Sequence, residues 1–366
     1  MRGVSAVGGD ADLGAGSSAD VDVVVVGAGI AGLLAAQALG QRSLSVAVLE
    51  GGRWVGGRLA TRSVGPGRAD AGAQFFTTRR PEFADMVREW REVGLVFTWA
   101  RGWSDGSLAV PRPEGHARYA VRGGMAALAN FLATGLDVRL GRHVTAASPF
   151  PWGWRVISPG AAPLSARALL LTAPVPQSLL LLDVGGTGLA QADRDALGRI
   201  EYAPGLCGLF LLDGDAALPD PGALQRPEAP IAWLADNRRK GVSPGVCVVT
   251  VQASAEWSRT AWDGRDSEVL AHLRGGLLPY VAHGTSIAQA RLERWRYSLP
   301  TVVHPHPYLV ARGVPPLAFA GDAFGGPRVE GAALSGLAAA DVLASRLPPP
   351  RGSERPDPTA APGHRN

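Results

Sequence analysis

Hydrophobic runs and their spacing divide this chain before any single residue is considered. "DVVVVG" carries an unbroken β-branched run from Val23 to Val26, the pattern of a strand covered on both faces in a parallel sheet. It runs through glycines into "LLAAQAL", a helix of small and apolar residues, and "LSVAVLE" follows as a second buried strand. Further on, "RPEFADMVREWREVG" places Phe83, Met86, Val87 and Trp90 on one helical face. "GGMAALANFLATG" predicts another helix, and "LDVRLGRHVTAAS" with "WGWRVIS" alternates as two paired strands would. "RALLLTAP" predicts a further buried strand. Beyond it come "GLCGLFLLD", "APIAWLAD", "GVCVVTVQA" and "AQARLERWRYSLP" as strands, with a helix in "RDSEVLAHLRGGLLPYV". Near the end, "FAGDAFGGPRVEGAALSGLAAADVL" repeats the upstream order of strand stub, glycine turn and small-residue helix.

Composition narrows the class. A chain of 366 residues can hold two domains or one large interwoven unit. The most apolar run, "ALLLTAPVPQSLLLLDV", is broken by Pro174 and Pro176, so no membrane span is expected. The first residues lack the apolar stretch of a signal peptide and predict a flexible leader, and the Pro-rich end predicts a disordered tail. Cys207 and Cys247 are the only cysteines, too few for a disulfide framework, and a cytoplasmic setting follows. The net charge of +4 comes from scattered arginines, without a basic block that would argue for nucleic acid.

Chemistry is concentrated in the first glycine turn. Gly27, Gly29 and Gly32 form a G-x-G-x-x-G between strand and helix, with Ile30 and Ala31 supplying the first N–H groups of the helix. Gly27 permits the tight turn, Gly29 lets backbone approach a pyrophosphate, and Gly32 lets helix and strand pack closely. The helix N-terminus adds partial positive charge. Glu50 ends the next strand, where a ribose 2′-hydroxyl would be held, and an acid there disfavours a 2′-phosphate. Gly57 and Arg58 follow in "GGR", an arginine preceded by two glycines that can neutralise phosphates. "ADAGAQFF" then offers Gly72 and Ala73, small enough for backbone to pass close to a flat ring, ahead of Gln74 and Phe75.

These motifs resemble the glutathione-reductase-type FAD fold and, within it, the renalase-like branch of the amine-oxidase superfamily. The resemblance is carried by "VVVGAGIAGL", "GGRLATR", "DAGAQFFT", "YAVRGGMAALA", "IAWLADNRRKG", "RWRYSLP" and "GDAFGGPRVEGAALSGLAAA". It implies FAD, with Gly321 and Asp322 at the ribityl or pyrophosphate region, Gly331 and Ala332 beside the isoalloxazine, and Val144 at the adenine end; "YLVARGVPPLAFAGDAF", which holds neither Cys nor His, predicts that the FAD is non-covalent. Relatives often carry a basic residue two positions after the ribose-binding acid, where this chain has Gly52; Arg53 is the substitute on offer. The implied fold is α/β, a Rossmann-like FAD-binding domain interwoven with a mixed α+β substrate domain. The expected division is a leader at 1–20, FAD-binding segments at 21–80, 124–174 and 310–347, substrate segments at 81–123 and 175–309, and a tail at 348–366.

The substrate side is less legible. Tyr202, Trp233, Trp295 and Tyr297 are candidate walls of a cavity over the flavin, since aromatic faces accept planar or cationic ligands, though core packing explains each equally well. Many amine oxidases use a lysine that holds a water against flavin N5, and Lys240 is the only lysine here. Its context, "DNRRKGVSPG", predicts a solvated turn. His304 and His306 lack the companions of a metal site, and none is expected. The resemblance implies hydride transfer from a small planar donor to flavin N5 with reoxidation by O2, the donor being a misreduced dihydronicotinamide dinucleotide. Arg294 and Arg296 are the arginines on offer for its phosphates. Amine oxidation, oxidation of a polyene or porphyrin precursor, and a non-catalytic flavoprotein are the alternatives.

Overall fold

A computed structural model describes residues 19–105 and 116–347; the tail and all but the last two residues of the expected leader lie outside the described residues. Strand β1 (Val21–Val26) leads through the glycine turn into helix α1 (Ile30–Gly40), then β2 (Val46–Leu49) and a hairpin of β3 (Thr61–Val64) and β4 (Gly67–Asp70). Helix α2 (Pro81–Glu92), the pair β5 (Val96–Ala100) and β6 (Arg118–Val121), and helix α3 (Met125–Ala133) come next. They are followed by β7 (Asp137–Arg139), β8 (Ala146–Phe150), β9 (Gly153–Ile157) and β10 (Leu164–Leu171). Helices α4 (Val175–Val184) and α5 (Gln191–Gly198) precede a second group of strands: β11 (Glu201–Leu212), β12 (Ala223–Gln225), β13 (Ile231–Asp236) and β14 (Val248–Ala253). Helices α6 (Ala255–Thr260) and α7 (Asp266–Leu277) then lead to the long β15 (Ile287–Val302). The short β16 (Leu309–Val310) and β17 (Leu317–Phe319) and helix α8 (Arg328–Arg346) complete the described chain.

The first sheet runs β16-β17-β10-β1-β2-β7, with β9 also on β10 and β8 on β9. β1 is parallel to both β2 and β10, and β10 is parallel to β17. Its alternate residues feed two cores, which is why Val23–Val26 is apolar without a break. Val23 and Val25 face α1, α3 and α8, while Val24 and Val26 face Trp154, Leu181 and Leu182. Phe83, Val87 and Trp90 of α2 are buried in the same core as α1 and α8, although the sequence places residues 81–92 with the substrate segments. The second sheet runs β12-β13-β14-β11-β15 and is antiparallel.

One pairing differs from expectation. Asp137–Arg139 does not pair with "WGWRVIS"; it is parallel to β2, and it is Ala146–Phe150 that joins β9 on the side away from β10. Alternation marks a strand without naming its neighbour, and the chain leaving α3 reaches the free edge of β2 first.

Candidate active site

The glycine turn lies where β1, β2, β10 and β17 end, the side of a parallel sheet on which ligands bind. Thr172, one residue beyond β10, donates its hydroxyl to the carbonyls of Val26 and Gly27 at 2.9 and 3.0 Å and so ties down the turn. Gly27 has φ of +108°, and a Cβ there would lie 2.8 Å from that hydroxyl. At Gly32 a Cβ would lie 2.0 Å from the Gly27 carbonyl oxygen, so glycine is required by packing. A Cβ on Gly29 would meet nothing within 4 Å, and α1 begins there with no side-chain cap. The helix therefore offers its first N–H groups to open space.

The Glu50 carboxylate is held from two sides. One oxygen accepts the Ala28 N–H at 2.9 Å and the other the Gly52 N–H at 2.7 Å. Each oxygen keeps a lone pair for a further donor such as a sugar hydroxyl. A Cβ on Gly51 would lie 3.0 Å from His143 Nδ1, so the segment leading to the buried Val144 passes beside this loop, while Arg53 is exposed. Gly56 donates its N–H to the Ala28 carbonyl at 2.7 Å, which brings Gly57 and Arg58 against the glycine turn. Arg58 makes a two-pronged pair with Asp322 at 2.6 and 2.7 Å, joining two expected cofactor residues that stand 264 positions apart. Its Nη1 also donates to the carbonyls of Tyr297 and Ser298 on β15 at 3.2 and 3.4 Å. The Gly321 N–H donates at 2.8 Å to the hydroxyl of Ser335 on α8, a support that the sequence did not single out. Gly331 lies in the first turn of α8, where a Cβ would be 1.9 Å from the Gly326 carbonyl oxygen, and Ala332 is buried beside it.

A cavity of about 320 Å³ opens next to the segment from Gly72 to Phe75. Its far side comes from β12, β13 and β14 and includes Gln225, Trp233 and Gln252. Gln252 donates to the Gly72 carbonyl at 2.8 Å, and Gln74 donates to the carbonyls of Asp70 and Gly72 at 2.7 and 3.1 Å. The buried Gln74 Oε1 and Trp233 Nε1 have no hydrogen-bond partner among the described residues. Behind the cavity, Trp233 belongs to a cluster with Phe75, Trp103 and Trp99, with Phe75 at 5.4 Å and Trp103 at 5.0 Å between ring centres.

The expected aromatic wall is thus only partly assembled. Trp233 lines the cavity, but Trp295 donates its indole N–H to the Ala71 carbonyl at 2.9 Å and packs behind the β3–β4 hairpin. Tyr202 and Tyr297 stack edge to face at 5.4 Å, beside the Arg58–Asp322 pair. Burial, reinforced by the Asp322 carboxylate, pushes the Tyr202 phenol up to about 12. Arg294 is taken up by Asp266 and the carbonyls of Trp262 and Gly264, and Arg296 lies over the Trp262 ring. Trp99, Trp103 and Gln225 were not foreseen; "FTWARGW" carries no periodicity that separates a cavity wall from a core.

Lys240 overturns its expected setting. It is not solvated: Nζ donates to Asp70 Oδ2 at 2.6 Å, and both side chains are 0% exposed. The turn after β13 folds inward because Asp236 caps it through the N–H groups of Arg238 and Arg239, leaving those arginines nearer the surface. Burial draws the lysine pKa down against the opposing pull of Asp70. Among the described residues no group of three or more His, Cys, Asp or Glu is arranged to hold a metal.

Comparison with known proteins places this geometry in a family. Residues 25–90 match the NAD(P)-binding Rossmann-like domain, and residues 91–344 match the flavin-containing amine oxidoreductases. The chain belongs to the flavin-containing amine oxidoreductase family. It is accordingly a flavin-dependent oxidoreductase with FAD as its cofactor. A putrescine oxidase of Kocuria rosea is 36% identical over 113 residues, a stretch that spans 31% of this chain and only 22% of that relative. Among solved structures, a putrescine oxidase redesigned in its cofactor site superposes with a TM-score of 0.66 at 16% identity, covering 89% of this chain and 99% of the other. A putative protoporphyrinogen oxidase of Exiguobacterium sp. 255-15 gives 0.65 at 15% identity, with 90% and 99% covered. Cyclohexylamine oxidase of Brevibacterium oxydans IH-35A gives 0.64 at 14%, with 89% and 99% covered. At these identities the structures share the fold with this chain. The residues fit FAD: an uncapped helix N-terminus, an acid with spare lone pairs and an arginine converge at the crevice, and Gly29 leaves open space there.

Proposed function

We propose that the protein is an FAD-dependent oxidase whose donor is small, planar and uncharged at the reacting end, in the manner of the renalase-like branch, and that a misreduced dihydronicotinamide dinucleotide is its substrate. The observation that carries this reading is the cavity lining. It joins the expected flavin-side segment Gly72–Phe75 to Trp233 and contains no charged side chain. Three amides, Gln74, Gln225 and Gln252, and the Ser254 hydroxyl supply its polarity. A dihydropyridine ring with its carboxamide is neutral and flat and matches such walls, whereas a protonated amine would find no carboxylate there. Its volume is at the small end for ligand pockets, which disfavours a polyene or porphyrin precursor.

Bound FAD would supply a two-electron acceptor at N5 and would pass the electrons to O2 as hydrogen peroxide. The chain's own part is binding and orientation. Glu50, Arg58, Asp322 and the N-terminus of α1 hold the cofactor; Gly72 and Ala73 let backbone approach its ring; Phe75 and Trp233 confine the donor so that its C–H faces the acceptor. No side chain is required to move a proton, because a dihydropyridine becomes aromatic on losing hydride. The cofactor is held without a covalent bond: neither cysteine lines the cavity, both are buried in the packing of the second sheet, and burial raises both thiols, Cys247 to about 12. Two buried free cysteines also suit a reducing, cytoplasmic setting. Among the described residues no helix is long and apolar enough to cross a membrane.

The second reading, amine oxidation, draws on the family match and on the relative from Kocuria rosea. Anaerobic mixing separates the two. The misreduced dihydronicotinamide dinucleotides are expected to bleach the visible flavin band, and ordinary NADH and primary amines are not. Fast bleaching by amines with none by the isomers overturns the proposed substrate. Acid precipitation is expected to release the yellow colour into the supernatant; colour retained in the pellet overturns non-covalent binding.

A further inference from the structure

Lys240 takes no part in the reaction proposed above, yet it is a buried charge, which chains do not keep without reason. We infer that Lys240 is a positioning residue: its ammonium holds the flavin-side wall and the aromatic wall of the cavity in fixed relation to each other. The inference rests on the cavity being the donor site.

The ammonium lies where two lines of contact meet. The first runs through Asp70, the last residue of β4. Its Oδ2 accepts from Lys240 at 2.6 Å, while its Oδ1 accepts the Thr61 hydroxyl at 2.6 Å and the Met125 N–H at 2.8 Å, at the start of α3. The Asp70 carbonyl accepts from Thr250 at 2.9 Å and from Gln74 at 2.7 Å, and the chain runs on directly into the cavity wall at Gly72. The second line runs through Trp99. Lys240 Nζ lies 4.9 Å from its ring centre, and Trp99 packs against Trp103 at 4.8 Å and Trp233 at 6.1 Å.

One cation thus attracts both a carboxylate that anchors one wall and an indole face that backs the other. Lys240 is absent from the cavity lining, so it acts through these neighbours. A neutral side chain of similar length fills the volume but attracts neither. Placement matters at this site because a displacement of about 1 Å can slow a reaction by about a hundred-fold.

Lys240→Met alone leaves a buried unpaired carboxylate and risks unfolding, so the deciding variant is Asp70→Asn with Lys240→Met. FAD-loaded, full-length protein is compared with wild type by melting temperature, by the near-ultraviolet circular-dichroism couplet of the Trp99–Trp103 pair, and by anaerobic flavin reduction. Trp99→Phe identifies the couplet. The reductant is whichever of the dihydronicotinamide isomers or primary amines bleaches the wild type. The double variant is expected to keep its FAD and its melting temperature and to lose the couplet. At saturating donor it is expected to reduce flavin at least about ten-fold more slowly, with donor affinity changed by less than about three-fold. A wild-type reduction rate, or an intact couplet, overturns the inference. If neither donor class reduces the wild type, the proposed activity fails on its own, and the couplet still decides the role of Lys240.

Discussion

In the proposed cofactor site Glu50 and Arg58 act in different ways, and their loss should differ accordingly. Glu50→Ala removes the acceptor for two backbone N–H groups as well as any sugar contact. Charge-assisted contacts of this kind contribute roughly 1.5–3 kcal/mol, so FAD affinity should fall about ten- to a hundred-fold in equilibrium dialysis. Arg58→Lys should restore little of what Arg58→Ala loses, because a lysine cannot reproduce the two-pronged geometry toward Asp322. Tyr202 offers a pH test. Its phenol is held at about 12 in the folded protein against an ordinary value of 10.0, so the native state keeps a proton that the unfolded chain releases. Stability is whole below pH 10 and falls as pH rises toward 12, by at most about 2–3 kcal/mol from this group. Urea melts across that window should show a shallower decline for Tyr202→Phe. The contrast between Glu50 and Tyr202 shows what one residue's neighbours in the chain reveal. Glu50 is legible because its partners lie within a few turns of a local motif. Nothing in "YAPGLCGLF" announces that the tyrosine lies against a carboxylate 120 positions away.

Helices α1 and α8 come from opposite ends of the described chain and touch through backbone. A Cβ added at Gly336 would lie 2.2 Å from the Ala31 carbonyl oxygen. Gly336→Ala must therefore push α8 off α1, and overpacking of this kind costs about 1–3 kcal/mol. The expected result is a lower melting temperature together with faster FAD release, since α8 also carries the Ser335 hydroxyl that supports the Gly321 turn. Loss of stability with unchanged FAD release would show that the two helices are uncoupled. At this scale the sequence was most informative: a strand, a glycine turn and a small-residue helix are local objects, and both copies stand where their spacing predicted. Pairing was less legible, as the parallel contact of Asp137–Arg139 with β2 shows, because strand partners are chosen by the tertiary arrangement.

Across the whole molecule, the Asp70–Lys240 pair joins the β3–β4 hairpin and α3 to the turn that follows β13. Lys240→Met alone should destabilise the protein by about 3–5 kcal/mol in urea unfolding, and Asp70→Asn in the same chain should recover most of it, because the cost lies in the stranded charge. This contact was invisible in the sequence for a simple reason: its partners stand 170 residues apart, and one of them sits among arginines that do reach the surface. A related feature has consequences in time. β10 lies between β1 and β17, so the first sheet draws neighbouring strands from widely separated stretches of chain. During synthesis the glycine turn after β1 emerges early, but β17 and α8, which finish its surroundings, emerge nearly 300 residues later. Until then α1 presents to solvent the small-residue face that α8 will cover, and a chain stalled before residue 309 should be prone to aggregation.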